Sequence, residues 1–432
     1  MSKNKSLNWY KLDTSAKIYP AIESSRDPAV FRLSVSLTDK INPTFLLKAL
    51  ETISPRFPYY NVTLKKGLFW NYLQQNTNQL LIWPDSPSPC ERIYPLLNNG
   101  YLYKIKYFNK TIALEIFHVL TDGFGAFEFL KSLIHQYLFL LNKVPLKLPG
   151  IIDILEVPKE DEYKDAFLTV LEQEKDNLPE KKRTLFGNNK IFQSSCKLLP
   201  KGDYRVITGI ISITDLKKVS KKYNATITEF LAALYLEALI HLQALQIKNT
   251  KKHYDVAIQI PINMRKHYPT KCMRNFSLFV IPIINPQTVS NLGDIIAKIK
   301  AFNKSNLTKT HLLTMIDDNC SLATHKFIKH IPVDLKNLFI SYINNTKGSS
   351  QFSGTISNLG NVSFPPQMVS HIKKVSFVPG PSPHEKCTCG VVGFNNNIYI
   401  SFGRSTKDTF VEKYLFTQLV RMGVQVKLES TL

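Results

Sequence analysis

The stretch Phe117-His118-Val119-Leu120-Thr121-Asp122-Gly123 decides how this chain is read, because it joins a strand pattern to a helix pattern through residues that can move a proton. Thr111 to His118 reads as a strand in which Ile112, Leu114, Ile116 and His118 share one face. Phe124 to Leu141 reads as a long apolar-faced helix. An imidazole leaving a strand end is held by its backbone while its ring reaches a cleft, which is a good place for a base. Histidine suits that work, since an ordinary pKa of about 6.5 leaves it largely neutral at neutral pH and able to take a hydroxyl proton. Asp122 adds a carboxylate at the turn, and Gly123 lets the chain enter the helix with exposed N–H groups. A plainer reading stands beside this one: a buried strand-end histidine followed by an aspartate helix cap.

Upstream, Phe31, Leu33, Val35 and Leu37 alternate onto one face of another strand. Asn42 can cap the helix that follows, with Pro43 at its first position and Phe45, Leu46, Ala49, Leu50 and Ile53 at helical spacing. Short extended segments follow around 60–64, 68–74 and 101–108. From 143 to 204 the pattern weakens, through Pro145, Pro149, Pro158, Pro179 and a charged block from Lys159 to Arg183. A second set then opens with an extended Val206 to Ile213 and a short helix from Thr214. Thr226-Ile227-Thr228-Glu229 is a capping box for a helix reaching about Leu245. Strands are expected near 255–261, 276–283, 353–358, 373–378, 388–394 and 397–403, with helices at 291–305, around 310–345 and at 408–423. The pattern predicts an α+β chain of two similar lobes: 1–175, carrying the His-Asp-Gly turn, a crossover at 176–204, and 205–432.

Composition excludes several classes. The chain has 432 residues, and single cores stop growing at roughly 250–300, so two cores are expected. With 44% apolar and 11% aromatic residues it is neither disordered nor fibrous. Glu229, Glu237 and His241 interrupt the apolar run near 230–245, so no membrane-spanning helix is expected. The first residues mix Lys3, Lys5, Lys11 and Asp13 with few apolar ones, which is unlike a secretory signal and predicts the cytoplasm. Cysteines are sparse, and Cys387-Thr388-Cys389 puts both thiols on one strand face, read as structural rather than as a metal site. His311, His325, His330 and His371 are too scattered for a metal, and no Gly-x-Ser-x-Gly elbow points to a serine hydrolase. The net charge of +22 is spread through Lys65-Lys66, Lys181 to Arg183, Lys217 to Lys222 and Lys251-Lys252 without a nucleic-acid-binding module. It suits solubility and a phosphate-bearing substrate.

The His-x-x-x-Asp-Gly string resembles the signature of the acyltransferase superfamily that includes chloramphenicol acetyltransferase, nonribosomal condensation domains, wax ester synthases and alcohol acetyltransferases. Three further stretches agree in kind and order. Asn224 to Leu234 looks like the start of a second-lobe helix in wax ester synthases. Pro261-Ile262-Asn263-Met264-Arg265, followed by Asn275-Phe276-Ser277, resembles the family's strand ending in arginine and its later asparagine. Ser357-Asn358-Leu359-Gly360 resembles its Ser-Asn-x-x-Gly turn. Trp9-Tyr10-Lys11-Leu12-Asp13 looks like the opening of the bacterial alcohol acetyltransferase branch. The resemblance implies two chloramphenicol-acetyltransferase-like lobes, each a mixed sheet with helices packed on it, and an active-site tunnel between them.

It also implies roles. His118 matches the catalytic base, Asp122 a structural aspartate, and Arg265 the arginine that pairs with it, expected as a bidentate pair across the lobes. Gly123, Thr355, Ser357 and Asn358 are candidate donors to the oxyanion or substrate. Phe117 stands where many members carry a first histidine, which favours free thioesters over carrier-bound peptides. The expected activity is transfer of an acyl group, acetyl above all, from acyl-coenzyme A to an alcohol or amine. No metal and no permanently bound cofactor is called for, and acyl-coenzyme A is a co-substrate. Two alternatives stand beside it: donation from an acyl carrier protein, and a binding protein that kept the scaffold without turnover.

Overall fold

The computed structural model describes residues 8–178, 190–324, 330–344, 348–382 and 384–430. Lys3, Lys5, Pro179, Lys181 to Arg183 and His325, with the middle of the expected crossover, lie outside the described residues.

In chain order the first half runs β1 (Trp9–Lys11), α1 (Tyr19–Ile22), β2 (Val30–Leu37), α2 (Pro43–Ile53), β3 (Val62–Lys66), β4 (Asn71–Gln75), β5 (Ile82–Pro84), β6 (Tyr103–Phe108), β7 (Thr111–Phe117), α3 (Gly123–Leu140) and α4 (Ala166–Gln173). The second runs β8 (Arg205–Ser212), α5 (Ile213–Lys222), α6 (Ile227–Gln246), β9 (Val256–Ala257), β10 (Ile260–Asn263), β11 (Ser277–Val280), β12 (Ile283–Ile284), α7 (Leu292–Asn306), α8 (Lys309–Thr324) and α9 (Val333–Ile343). It closes with β13 (Thr355–Asn361), α10 (Pro366–Val369), β14 (Ile372–Val378), β15 (Cys387–Phe394), β16 (Asn397–Arg404), α11 (Phe410–Arg421) and β17 (Lys427–Ser430).

Two five-stranded mixed sheets organise these elements, in the orders β14-β2-β7-β6-β5 and β13-β15-β16-β8-β17. Each contains one parallel pair, β5 with β6 and β13 with β15. In β2 the alternation works as the sequence implies: Phe31, Leu33, Val35 and Leu37 are all buried. The Asn42 side chain accepts from the Thr44 and Phe45 amides to start α2, a cap worth about 1 kcal/mol. Helices α2 and α3 pack together and, with the first sheet, enclose Leu33, Leu46, Leu50, Leu114, Phe129 and Leu133. The second core gathers α6, α7 and α11 on the other sheet, and takes in Cys387 and Cys389.

The sheets do not divide cleanly along the chain. Strand β14, deep in the second half, is hydrogen-bonded to β2 of the first sheet and also touches β15 and β16. The region around 310–345 expected to be helical holds α8 and α9, whereas the strands expected at 255–261 and 276–283 are each broken in two. By length and composition α6 could cross a membrane, contrary to the expectation that no helix would. However, 61% of its most apolar window is buried inside the fold, as in a core helix.

Candidate active site

Strand β7 ends at Phe117, and His118 is the first residue of the turn leading to α3. Its amide donates to the Ala29 carbonyl at 2.8 Å, which pins the turn to the start of β2. Two aromatics contact the ring: Tyr19 of α1 stacks on it at 4.6 Å and 18°, and Phe31 lies tilted against it at 4.9 Å and 58°. His118 as a whole residue is half-buried.

The tautomer follows from the hydrogen bonds. His118 Nδ1 lies 3.0 Å from Asn275 Oδ1. The other end of that carboxamide, Nδ2, donates to the His118 carbonyl at 3.0 Å and to Asp13 Oδ2 at 3.2 Å. Two acceptors at one end fix which end carries oxygen, so the ring must donate through Nδ1–H, leaving the Nε2 lone pair free. Behind Asn275, Asp13 also accepts from the Ala16 amide at 2.7 Å and lies 3.5 Å from Arg274 Nε. Burial pushes the Asp13 carboxyl up to about 6, against the pull of the Arg274 guanidinium. Burial likewise lowers the His118 pKa from its ordinary value, the Asp122 charge opposing it only in part. A neutral imidazole with a free Nε2 is the form a proton acceptor needs.

Asp122 divides its carboxylate between two tasks. Oδ1 accepts from the Phe124 and Gly125 amides at 3.2 and 3.3 Å and caps α3. Oδ2 accepts from Arg265 Nη1 at 2.7 Å and from the Phe276 amide at 2.8 Å. Both side chains are buried. The pairing across the halves is therefore present, but it is not bidentate as the sequence reading expected. The remaining Arg265 nitrogens go elsewhere: Nε donates to the Cys272 carbonyl at 2.9 Å and Nη2 to the Arg274 carbonyl at 2.6 Å. One guanidinium thus stitches the 272–274 loop to the start of α3, and also lies over the Phe124 ring, 4.5 Å from its centre.

The glycines of this turn are space requirements. A methyl on Gly125 would meet the Met273 carbonyl at 2.0 Å and Thr121 Oγ1 at 2.3 Å. On Gly123 it would meet Leu359 Cδ2 at 2.5 Å, which brings the Ser357-Asn358-Leu359-Gly360 segment of β13 against the start of α3. Two of the candidate donors there are already engaged. Asn358 bonds Thr228 Oγ1 at 2.9 Å and accepts from the Gly360 amide at 2.8 Å, while Thr355 donates to Gln259 Oε1 at 3.0 Å. Ser357 has no hydrogen-bond partner for its hydroxyl among the described residues.

A cavity of about 450 Å³ lies between the halves, lined by Arg26, Pro28, Tyr94, Lys104, Tyr204 and Pro381 among others; His118 is not part of its wall. Arg26 and Pro28 belong to the same stretch as Ala29, which holds the His118 amide. Among the described residues no group of three or more His, Cys, Asp or Glu side chains is arranged to hold a metal. Sequence reasoning did not assign Asn275 and Asp13 to His118, although both lie in stretches it singled out, and it missed Tyr19 altogether.

No protein-family model matches the sequence, and no curated protein matches it. The fold has close counterparts among solved structures. Polyketide synthase associated protein 5 from Mycobacterium tuberculosis superposes with a TM-score of 0.60 at 13% identity, covering 97% of this chain and 98% of that one. TRI3 trichothecene 15-O-acetyltransferase from Fusarium sporotrichioides gives 0.60 at 12% identity, covering 98% and 96%. The starter condensation domain of rhizomide synthetase RzmA, in complex with C8-CoA, gives 0.57 at 12% identity, covering 96% and 93%. At such identities the likeness establishes the two-lobed fold over nearly the whole chain.

Proposed function

We propose that this chain is an acyltransferase that carries an acyl group from a coenzyme A thioester directly to an alcohol or amine, with His118 as general base. The observation that carries the reading is the Nδ1–H to Asn275 bond, which leaves Nε2 unprotonated. Support comes from two proteins of the same fold, one named as an O-acetyltransferase and one bound to C8-CoA.

In this mechanism both substrates bind together. Nε2 takes the acceptor's proton as its oxygen or nitrogen attacks the thioester carbonyl, and the resulting imidazolium protonates the leaving thiolate. No covalent acyl-enzyme forms. Charge on the carbonyl oxygen needs preorganised donors, and removing one elsewhere costs about 2.7–4 kcal/mol. With Thr355 and Asn358 engaged, the Gly123 amide and the Ser357 hydroxyl are the better candidates. Asp122 and Arg265 act as positioning residues, since they hold the turn and the loop that carries Asn275.

The test is free-thiol release from acetyl-coenzyme A and longer acyl-coenzyme A donors, with a panel of alcohols and amines. Acceptor-dependent release is expected; release that no acceptor raises above background overturns the reading. Donation from a carrier protein is the second reading, favoured by likeness to a condensation domain and to a polyketide synthase associated protein. It is distinguished by turnover with acyl carrier protein but not with acyl-coenzyme A.

A further inference from the structure

Helix α9 turns a stripe of large apolar side chains to solvent while burying a lysine beside Val333. Its outward face carries Leu335, Leu338, Phe339 and Tyr342, which are 59%, 69%, 59% and 67% exposed and fall at helical spacing along one stripe. Its inward face carries a lysine. Lys336 is buried, donates to the Phe69 carbonyl at 2.8 Å and lies 3.3 Å from the centre of the Trp70 ring. Water alone gives a helix no reason to hide a lysine and display three large apolar side chains.

The stripe continues onto the tip of the β3–β4 hairpin. Leu68 is 72% exposed, and its carbonyl accepts from the Val333 amide at 2.9 Å, so the tip and the first turn of α9 are joined. Beyond the tip, the three-stranded sheet β1-β4-β3 pairs Lys11 with Tyr72 and Tyr72 with Lys65 in one cross-strand row. Both lysines are exposed, and Trp9, also exposed, meets Tyr72 edge-on at 6.3 Å. Large apolar side chains bordered by a tryptophan, a tyrosine and lysines are the arrangement that suits the boundary between acyl chains and anionic headgroups.

We infer that α9 and the β3–β4 tip dock this protein on the surface of an anionic lipid bilayer. The apolar stripe enters the headgroup boundary, and Lys11 and Lys65 meet the negative surface. A lipid partner is favoured over a second protein by charge, because the net charge of +22 draws the whole chain towards such a surface. The dock also lies close to the candidate site. Helix α9 packs against α1, whose Tyr19 stacks on His118, so one short helix links the docked face to that ring. The docking itself does not depend on the acyl-transfer reading, and its test needs no turnover.

The full chain is sedimented with phosphatidylcholine vesicles containing or lacking 30% phosphatidylglycerol, alongside a Leu335→Ser/Leu338→Ser/Phe339→Ser variant and a Lys11→Glu/Lys65→Glu variant. The wild type is expected to partition onto the anionic vesicles with a blue shift of Trp9 emission, read against a Trp9→Phe variant. Each multiple variant is expected to lose at least about tenfold in partitioning with an unchanged melting temperature. Wild-type protein that stays in the supernatant, or a triple variant that binds as well as wild type, overturns the proposal. So does a wild-type dimer in sedimentation velocity that the triple variant converts to monomer, because the stripe would then serve a second copy of the chain.

Discussion

Helices α3 and α6 both begin at an oxygen-bearing side chain that caps first-turn amides, Asp122 in one and Thr226 in the other. In the Thr226 cap the two capping bonds stay within one turn, the hydroxyl accepting from the Glu229 amide at 3.2 Å and Glu229 Oε2 accepting from the Thr226 amide at 2.9 Å. The one longer tie among the described residues is from Asn303 Nδ2 of α7 to Glu229 Oε1 at 3.1 Å, beside a half-exposed turn and with no counter-charge. This cap lies towards solvent and reads straight from sequence. Asp122 does the same local work with one oxygen and gives the other to Arg265 and the Phe276 amide, which come from the far half of the chain. A cap becomes part of a site when it is buried and tied to distant segments. The tie is also what positions Asn275 beside His118.

The largest break in this comparison comes from removing each cap. Asp122→Ala leaves the buried Arg265 guanidinium without its counter-charge and is expected to lose about 3–5 kcal/mol of stability, with most of the activity. Thr226→Ala should lose about 1 kcal/mol and leave turnover intact. Urea melts and initial rates on both variants check this. Equal losses would mean that the long-range tie adds nothing.

The glycines sharpen it. Gly125→Ala would drive a methyl into the Met273 carbonyl and Thr121 Oγ1, neither of which can retreat without breaking their mutual bond of 2.6 Å, so a loss of about 3 kcal/mol is expected. Gly123→Ala meets only the terminal methyl of Leu359, which can rotate, and should cost about 1 kcal/mol. Thermal unfolding of the two variants gives the order.

Asn275→Ala tests the tie by kinetics. General acid–base catalysis is worth roughly 10²–10⁴-fold, and losing the group that aims the imidazole should cost about tenfold of it in kcat with little change in KM. The pH profile separates this from a merely structural loss. The His118 pKa is lowered by burial, so the neutral base persists below pH 6.5 and the acid limb of kcat/KM is expected below that value. The Asn275 bond raises that pKa, so removing it should move the limb further down. An unmoved limb would mean that Asn275 does not touch the titrating group.

What could be read from sequence follows the same division. His118, Asp122, Gly123 and the Thr226 cap lie in contiguous strings whose local geometry is set by neighbouring residues, and helices such as α2 are legible from Asn42 and Pro43. The Asp122–Arg265 pairing came from resemblance alone, and its geometry was misjudged because the α3 amides compete for Oδ1. The Asp13–Asn275–His118 chain joins three remote segments and has no period to detect. Strand β14 likewise looks like any second-half strand, yet its register with β2 places it in the first sheet. Short strands such as β1, β5 and β17 carry too few residues for alternation to show.

The most direct measurement is the rate of ester formation from acetyl-coenzyme A and a competent alcohol for wild type and His118→Ala at pH 7.5, with folding of both checked by circular dichroism. A fall of at least about a hundredfold in kcat, with the variant fully folded, is expected of a general base. A folded His118→Ala protein that turns over at the wild-type rate would contradict the assignment.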